Sequence, residues 1–328
     1  MRRPEAWRLR CAIGTLAAGF IAGCGSTTPS PSAADAWEAA TEVGPPVNTS
    51  GWEDSGMISP DGNSLYFTYL RIDPITLLLH GVIRVSGPLR PGWPTTPPYD
   101  TLGAQLYMAP RVQGVWLEPQ PIGAPIMQDG VLAGDEWVSE DGLRVLFTYG
   151  AGGIGPSPGI YYSEKSVSVW ATPVLASTLG LPFVAGDENP HLTLDEGTLF
   201  WESSRPGGFG GPDLWMSHKI GGLWGPAENL GSTINTSGTE GSPFSFDGVE
   251  LLYDDKGATG IFQTRLRPTG SWTTPERIIA GQAGDPSLTL SRDLYFVRGG
   301  PVQGGFDANL MVARHRQATM AILALSQR

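Results

Sequence analysis

The sequence predicts an all-β fold, a five-bladed β-propeller of four-stranded antiparallel blades closed by a strand from the N-terminal end. Three observations predict it. The stretch Gly186–Leu230 holds short apolar runs at His191–Leu194, Thr198–Ser203 and Leu214–Ser217, and a fourth opens at Leu223–Trp224. Gly-, Asp- or Pro-rich turns separate them, and each run is too short for a helix and too rich in Leu, Phe, Trp and Thr for a loop. Next, the same order of signals returns along the chain: an acid, a strand, an Asp-Gly-type turn, a strand, an aliphatic beside an aromatic, then Gly-x-Trp. Such self-similarity marks a repeat architecture. Last, the segment ahead of the first repeat matches the outer strand of a blade rather than the start of one.

Taken in order, residues 1–23 stand apart from the fold. Arg2, Arg3, Arg8 and Arg10 precede the apolar run Cys11–Ala22, which is too short to span a bilayer and reads as an export signal. Its end, Ile21-Ala22-Gly23-Cys24, resembles the bacterial lipobox, in which the cysteine is acylated and becomes the mature N-terminus. Cys11 and Cys24 are the only two cysteines, so cleavage leaves one thiol and no internal disulfide, and acylation removes that thiol from an oxidising compartment. Gly25 rather than Asp follows the cysteine, which by resemblance to lipoproteins of Gram-negative bacteria implies the outer membrane. Residues 24–35 are small, polar and Pro-containing, with nothing to bury, and read as a flexible tether.

The propeller domain is placed at residues 36–314 and a C-terminal tail at 315–328. The chain carries 45 Gly, 29 Pro and a net charge of −11, about −14 once the signal is removed. That charge would repel phosphate backbones, which argues against a nucleic-acid partner. An acid opening each repeat is placed at Glu53, Glu136, Glu188, Glu240 and Asp285, at spacings of 83, 52, 52 and 45. First turns fall at Asp61-Gly62, Asp141-Gly142, Asp195–Gly197, Asp247-Gly248 and Ser291–Asp293, where Asp-Gly tolerates the positive φ of a tight hairpin. Outer strands carry Trp116, Trp170, Trp224 and Trp272, and the fifth repeat lacks such a Trp.

Trp37 supplies it. VNTSGWE after Trp37 parallels INTSGTE after Trp224, and the spacing from Trp to Asn is eleven in both. Closing the ring with a strand from each end of the chain removes an exposed sheet edge. A six-bladed ring is the alternative, with the insertion at about 71–101 as a blade of its own. In the five-bladed reading, the first half of that insertion is an extra hairpin and the second a Pro-rich loop. It forms either a lip over one face of the ring or a decoration packed on the first blade.

The runs SPDGNSLYFTY, SEDGLRVLFTY and TLDEGTLFWESSRPGGFGGPDLWMS resemble the WD40-like β-propeller repeat of bacterial envelope proteins, the TolB type among them. The resemblance covers nearly all of the mature chain. It implies the fold and an envelope setting. It does not choose between a binding scaffold and an enzyme.

The residues that could carry chemistry are few. His80, His191, His218 and His315 fall at unrelated repeat positions, and no metal-binding motif of regular spacing is present. The candidates for the channel or a ligand are Glu53, Glu136, Glu188, Glu240 and Asp285, with Asp54, Asp135 and Asp187 adjacent. A ring of acids at the start of each innermost strand fits three roles. It could accept hydrogen bonds as a structural device repeated in every blade, hold a cation such as calcium in the channel, or supply the two carboxylates of a glycoside hydrolase. The repetition itself favours the first. No other cofactor is expected. The recurring tryptophans are expected between blades, whereas Trp52, Trp93, Trp137 and Trp201 do not recur and are candidate surface aromatics for a carbohydrate or peptide. The function expected is a lipid-anchored, non-catalytic platform for a protein or polysaccharide partner of the envelope; the alternative is a glycosidase-like enzyme.

Overall fold

The computed structural model describes residues 36–316, apart from 96, 98, 128–130, 152–158 and 257–259. The signal segment, Cys24, the tether and residues 317–328 lie outside the described residues. The chain begins with β1 (Thr41–Glu42) and then lays down five antiparallel sheets around an axis. The first blade is β2 (Trp52–Ile58), β3 (Ser64–Leu70) and β4 (Ala104–Val112), edged by β5 (Val115–Trp116) and β6 (Gln120–Pro121). The second is β7 (Val131–Val138), β8 (Arg144–Ala151) and β9 (Gly159–Ser166), edged by β10 (Val169–Trp170) and β11 (Val174–Leu175). The third is β12 (Asp187–Leu192), β13 (Thr198–Ser203) and β14 (Asp213–Ile220), edged by β15 (Leu223–Trp224) and β16 (Glu228–Asn229). The fourth is β17 (Glu240–Phe244), β18 (Glu250–Asp255), β19 (Gly260–Arg265) and β20 (Glu276–Ala280). The fifth is β21 (Ala283–Leu288), β22 (Leu294–Val302) and β23 (Gly305–Ala313), completed by β1.

The five-bladed ring is therefore closed by the N-terminal strand. Thr41 and Glu42 pair with Val312 and Met311, and Trp37 bridges to His315. The matched VNTS and INTS segments do the same work. Asn235 accepts from Leu214 N at 2.9 Å and donates to Leu214 O at 3.0 Å. Asn48 accepts from Leu310 N at 3.2 Å and donates to Leu310 O at 2.9 Å. In both cases an Asn side chain imitates one more strand residue beside the third strand of a blade.

Each recurring Trp packs toward the preceding blade. Trp116 meets Tyr295 edge-on, Trp170 donates to Ile122 O at 2.8 Å, and Trp272 meets Phe200. Trp224 packs against the cluster of Trp137 and Trp201, and Trp37 against Phe244, Leu252 and Ile261. Trp116 and Trp224 are only half-buried, each beneath a cation, Arg111 and Lys219.

The insertion is not a blade and does not begin with an extra hairpin. It opens with α1 (Pro74–His80), started by the Asp73 side chain accepting from Thr76 N and ended by Gly81 in the left-handed region. A short helix, α2 (Tyr99–Leu102), ends it. Between them Arg90 enters the core, 4.4 Å from the Tyr69 ring centre and 3.1 Å from Glu53. Asp73 accepts from Phe306 N of the fifth blade. The insertion is thus a buttress across the first and fifth blades, on the face opposite the Asp-Gly turns.

Candidate functional site

The innermost strand of every blade carries one irregularity at the same place. The register slips between Asp54 and Met57, Gly134 and Trp137, Glu188 and His191, Gly241 and Phe244, and Gly284 and Ser287. At each slip one residue has positive φ: Ser55 at 52°, Asp135 at 52°, Asn189 at 51°, Ser242 at 48° and Asp285 at 51°. All five are Ser, Asp or Asn. Bulged residues are re-aimed out of the sheet, and the short polar side chains of Asn and Asp tolerate the left-handed region. The five bulges line the channel together.

This landmark corrects the expected acid ring. Glu53, Asp187 and Glu240 stand two residues before the bulge, Asp54 and Glu188 one before, Asp135 and Asp285 on it, and Glu136 one after. They are not five copies of one position, and they do different things. Glu53 accepts from Thr49 Oγ1 at 2.7 Å and from Thr49 N and Arg90. Glu240 accepts from Thr236 Oγ1 at 2.6 Å and Thr236 N at 3.0 Å. Asp187 is held by Arg205 and Val184 N. These three fasten the linker entering each blade. Burial raises all three, Glu53 to about 7 against the opposing hydrogen bonds.

Asp135, Glu136 and Asp285 instead face the axial cavity, which has a volume of about 50 Å³. Asp54, Glu202 and Asp254 are buried around it. Bonds among these groups run from blade to blade. Ser55 donates to Asp135 at 2.9 Å, Ser242 to Asp285 at 2.7 Å, and Lys256 reaches Glu202 at 3.3 Å. Repulsion from Asp285 adds to burial in raising Asp54. Gly241 leaves room beside this cluster, since a Cβ there would displace the Glu202 carboxylate. Burial drives the carboxyls upward: Asp135 to about 7, with repulsion from Asp285 added, and Asp54, Glu136 and Asp254 well above the ordinary range. Lys256 is raised, because Glu202 and Asp254 outweigh the opposing effect of its burial. Among the described residues no three His, Cys, Asp or Glu side chains converge closely enough to ligate one ion directly.

A collar of Met57, His191 and Phe244 separates this polar cavity from a second one of about 270 Å³ on the face of the Asp-Gly turns. That cavity runs outward into a third of about 330 Å³ between the second and third blades, the two sharing Trp137, Arg144, Leu192 and Glu196. Sequence reasoning missed this groove. Arg144 and Glu196, one from each wall, form an ion pair at 2.6 Å. Leu194 lines the second cavity, and Leu143, Val249 and Leu290 are exposed at or beside the first turns of the second, fourth and fifth blades on the same face, Leu290 at 62%. The hairpins joining third to fourth strands add exposed Val115, Val167, Ile220 and Leu223 on that face.

The candidate surface aromatics are corrected as well. Trp52, Trp93, Trp137 and Trp201 are all buried. Trp52 donates to Asp54, Trp93 to Asp100 O and Trp137 to Leu192 O, and Trp201 packs against Phe183. Trp137 alone of the four lines the groove.

No protein-family model matches the sequence, and no curated protein matches it. Solved structures of similar fold include TolB from Acinetobacter baumannii, at 14% identity and a TM-score of 0.44, over 81% of this chain and 55% of that one. They also include the catalytic domain of a Coprinopsis cinerea GH62 α-L-arabinofuranosidase, at 10% identity and a TM-score of 0.46, over 81% and 91% of the two chains. A Dyadobacter fermentans protein of unknown function is similar at 12% identity and a TM-score of 0.46, over 84% and 99%. The chain spans about half the length of that TolB. Likenesses of this degree carry nothing about activity.

Proposed function

We propose that this protein is an envelope β-propeller, anchored to the outer membrane through acylated Cys24, that binds a protein partner on its turn face and catalyses no reaction on it. The observation that carries the reading is a cavity of about 270 Å³ over the axis on the turn face, continuous with a groove of about 330 Å³ between the second and third blades, with exposed aliphatics on the same face. A concave surface rimmed by exposed aliphatic side chains suits a protein partner. The disposition of the acids also favours binding over hydrolysis. Glu53, Asp187 and Glu240 are engaged in linker bonds. Asp135, Glu136 and Asp285 face a cavity of about 50 Å³, well below the ~300 Å³ at which ligand pockets begin.

A photo-crosslinking residue at Leu223 tests the reading in intact envelopes. Leu79, exposed on α1 at the opposite face, is the control. The expected result is one discrete protein adduct from position 223, absent from position 79 and lost when Leu143→Asp is added. Equal adducts from both faces, or none, would overturn the turn face as the binding surface. Release of sugar from an envelope or plant glycan, abolished by Glu136→Gln, would overturn the non-catalytic reading. Cys24→Ser is expected to move the folded protein from the membrane pellet to the wash, and its retention in the pellet would reject the anchor.

A further inference from the structure

The axial cavity gathers more carboxyl groups than the described residues balance with positive charge. Asp135, Glu136 and Asp285 line it, and Asp54, Glu202 and Asp254 are buried around it. Against six carboxyl groups the structure sets one lysine, Lys256, and Glu202 already holds it at 3.3 Å. Three oxygens in the cluster find no donor, Glu136 Oε1, Asp254 Oδ1 and Asp285 Oδ2. All three residues are more than nine-tenths buried, and Glu136 and Asp285 stand on the cavity wall. Burying an ionised carboxylate is costly unless charge and hydrogen-bond donors are returned to it. Positive charge and donors are what this cavity lacks.

We infer that the cavity binds one hydrated divalent cation, of the Mg²⁺ type, beside Asp135, Glu136 and Asp285, with its water ligands donating to the carboxylate oxygens that have no protein donor. Among the described residues no three carboxylates stand close enough to ligate one ion directly, which favours an ion that keeps its waters over one caged by protein oxygens. Mg²⁺ gives up its water reluctantly and is commonly held through one or two carboxylates and several waters. By the measure in which a single water needs ~10–15 Å³, the cavity of about 50 Å³ admits an ion with part of its hydration shell. The bulge residues of all five blades meet here, so the ion would tie the ring at its axis. This inference does not depend on the groove or on any partner.

The test uses the full chain, purified and stripped with EDTA, at neutral pH and constant ionic strength in KCl. Titration with MgCl₂ is expected to show one saturable site per chain and a raised melting temperature. Glu136→Gln replaces a buried carboxyl whose Oε2 accepts from Thr68 Oγ1 at 3.3 Å but whose Oε1 has no donor, and so removes the cost of ionising it there. Without divalent ion it is therefore expected to melt above the wild type, and its Mg²⁺ affinity to fall at least tenfold. A Glu136 with a merely structural role would give a variant that melts lower. Asp285→Asn provides a second variant with the same expected loss of Mg²⁺ affinity. No saturable binding, or an undiminished Mg²⁺ response in both variants, would overturn the site.

Discussion

His191 shows how one residue in this ring translates burial into pH dependence. It is fully enclosed beside Phe244, with ring centres 4.7 Å apart, and its Nε2 lies 2.8 Å from Ser245 O of the next blade. That geometry requires a proton on Nε2. Burial depresses its pKa from 6.5 to about 4, with the Ser245 carbonyl working the other way. Between those values the unfolded chain binds a proton that the folded chain refuses, so stability is present above pH 6.5 and is lost as pH falls toward 4. The difference of about 2.5 pH units corresponds to ~3 kcal/mol at most. His191→Gln keeps a donor for Ser245 and does not titrate. Melting of both proteins from pH 7.5 to 4.5 should show the wild type losing its advantage over the variant as pH falls; a gap independent of pH would show that His191 titrates normally.

At the scale of elements, the Asn-Thr-Ser-Gly-x-Glu segment is the hinge between one blade and the next. Its Asn joins the outgoing blade, its Thr and Glu bond each other, and the chain then enters the innermost strand. Asn235→Ala would remove two buried hydrogen bonds and leave the Leu214 N–H unpaired, while Leu214 O keeps its bond from Leu230 N at 3.1 Å, a loss of roughly 1–3 kcal/mol. Asn48→Ala should cost as much, because Asn48 treats Leu310 in the same way. Denaturant melts of the two variants compare them, and a neutral Asn48→Ala would mean that the likeness of the two segments ends at the sequence. This element was legible because both copies keep the same residues. The channel bulge was not, because its position is Ser, Asp, Asn, Ser and Asp in turn, and acids lie on both sides of it. Any alignment that follows negative charge therefore slips by one to three residues between blades. Helix α1 was missed although Asp73-Pro74 and Gly81 are proper start and stop signals; the run ITLLLH between them suits a strand equally well. The four tryptophans were misjudged because absence from the repeat pattern says nothing about which side of a strand faces the neighbouring sheet.

At the scale of the whole molecule, the ring is held shut at two levels. On the turn face Arg292 of the fifth blade bonds Glu250 of the fourth at 2.6 and 2.8 Å, and Leu290 N reaches Pro60 O of the first at 2.7 Å. Trp37 adds the outer edge: its Nε1 donates to Arg292 O at 2.8 Å, its own carbonyl accepts from Arg316, and its ring packs edge-on to His315. It is 4% exposed, the same as Trp170 of the second blade, which lies in the interior of the chain and closes nothing. If closure by the N-terminal strand is an ordinary blade edge, the two positions are energetically equivalent despite the 277 residues between Trp37 and His315. Emptying either should cost roughly 3–5 kcal/mol. The half-buried Trp224 should cost less. Denaturant melts of Trp37→Ala, Trp170→Ala and Trp224→Ala in one background decide the matter. An unchanged midpoint for Trp37→Ala would mean that the first strand is dispensable. A loss equal to that of Trp170→Ala would place the closing strand on the same footing as the four blade edges formed within the chain.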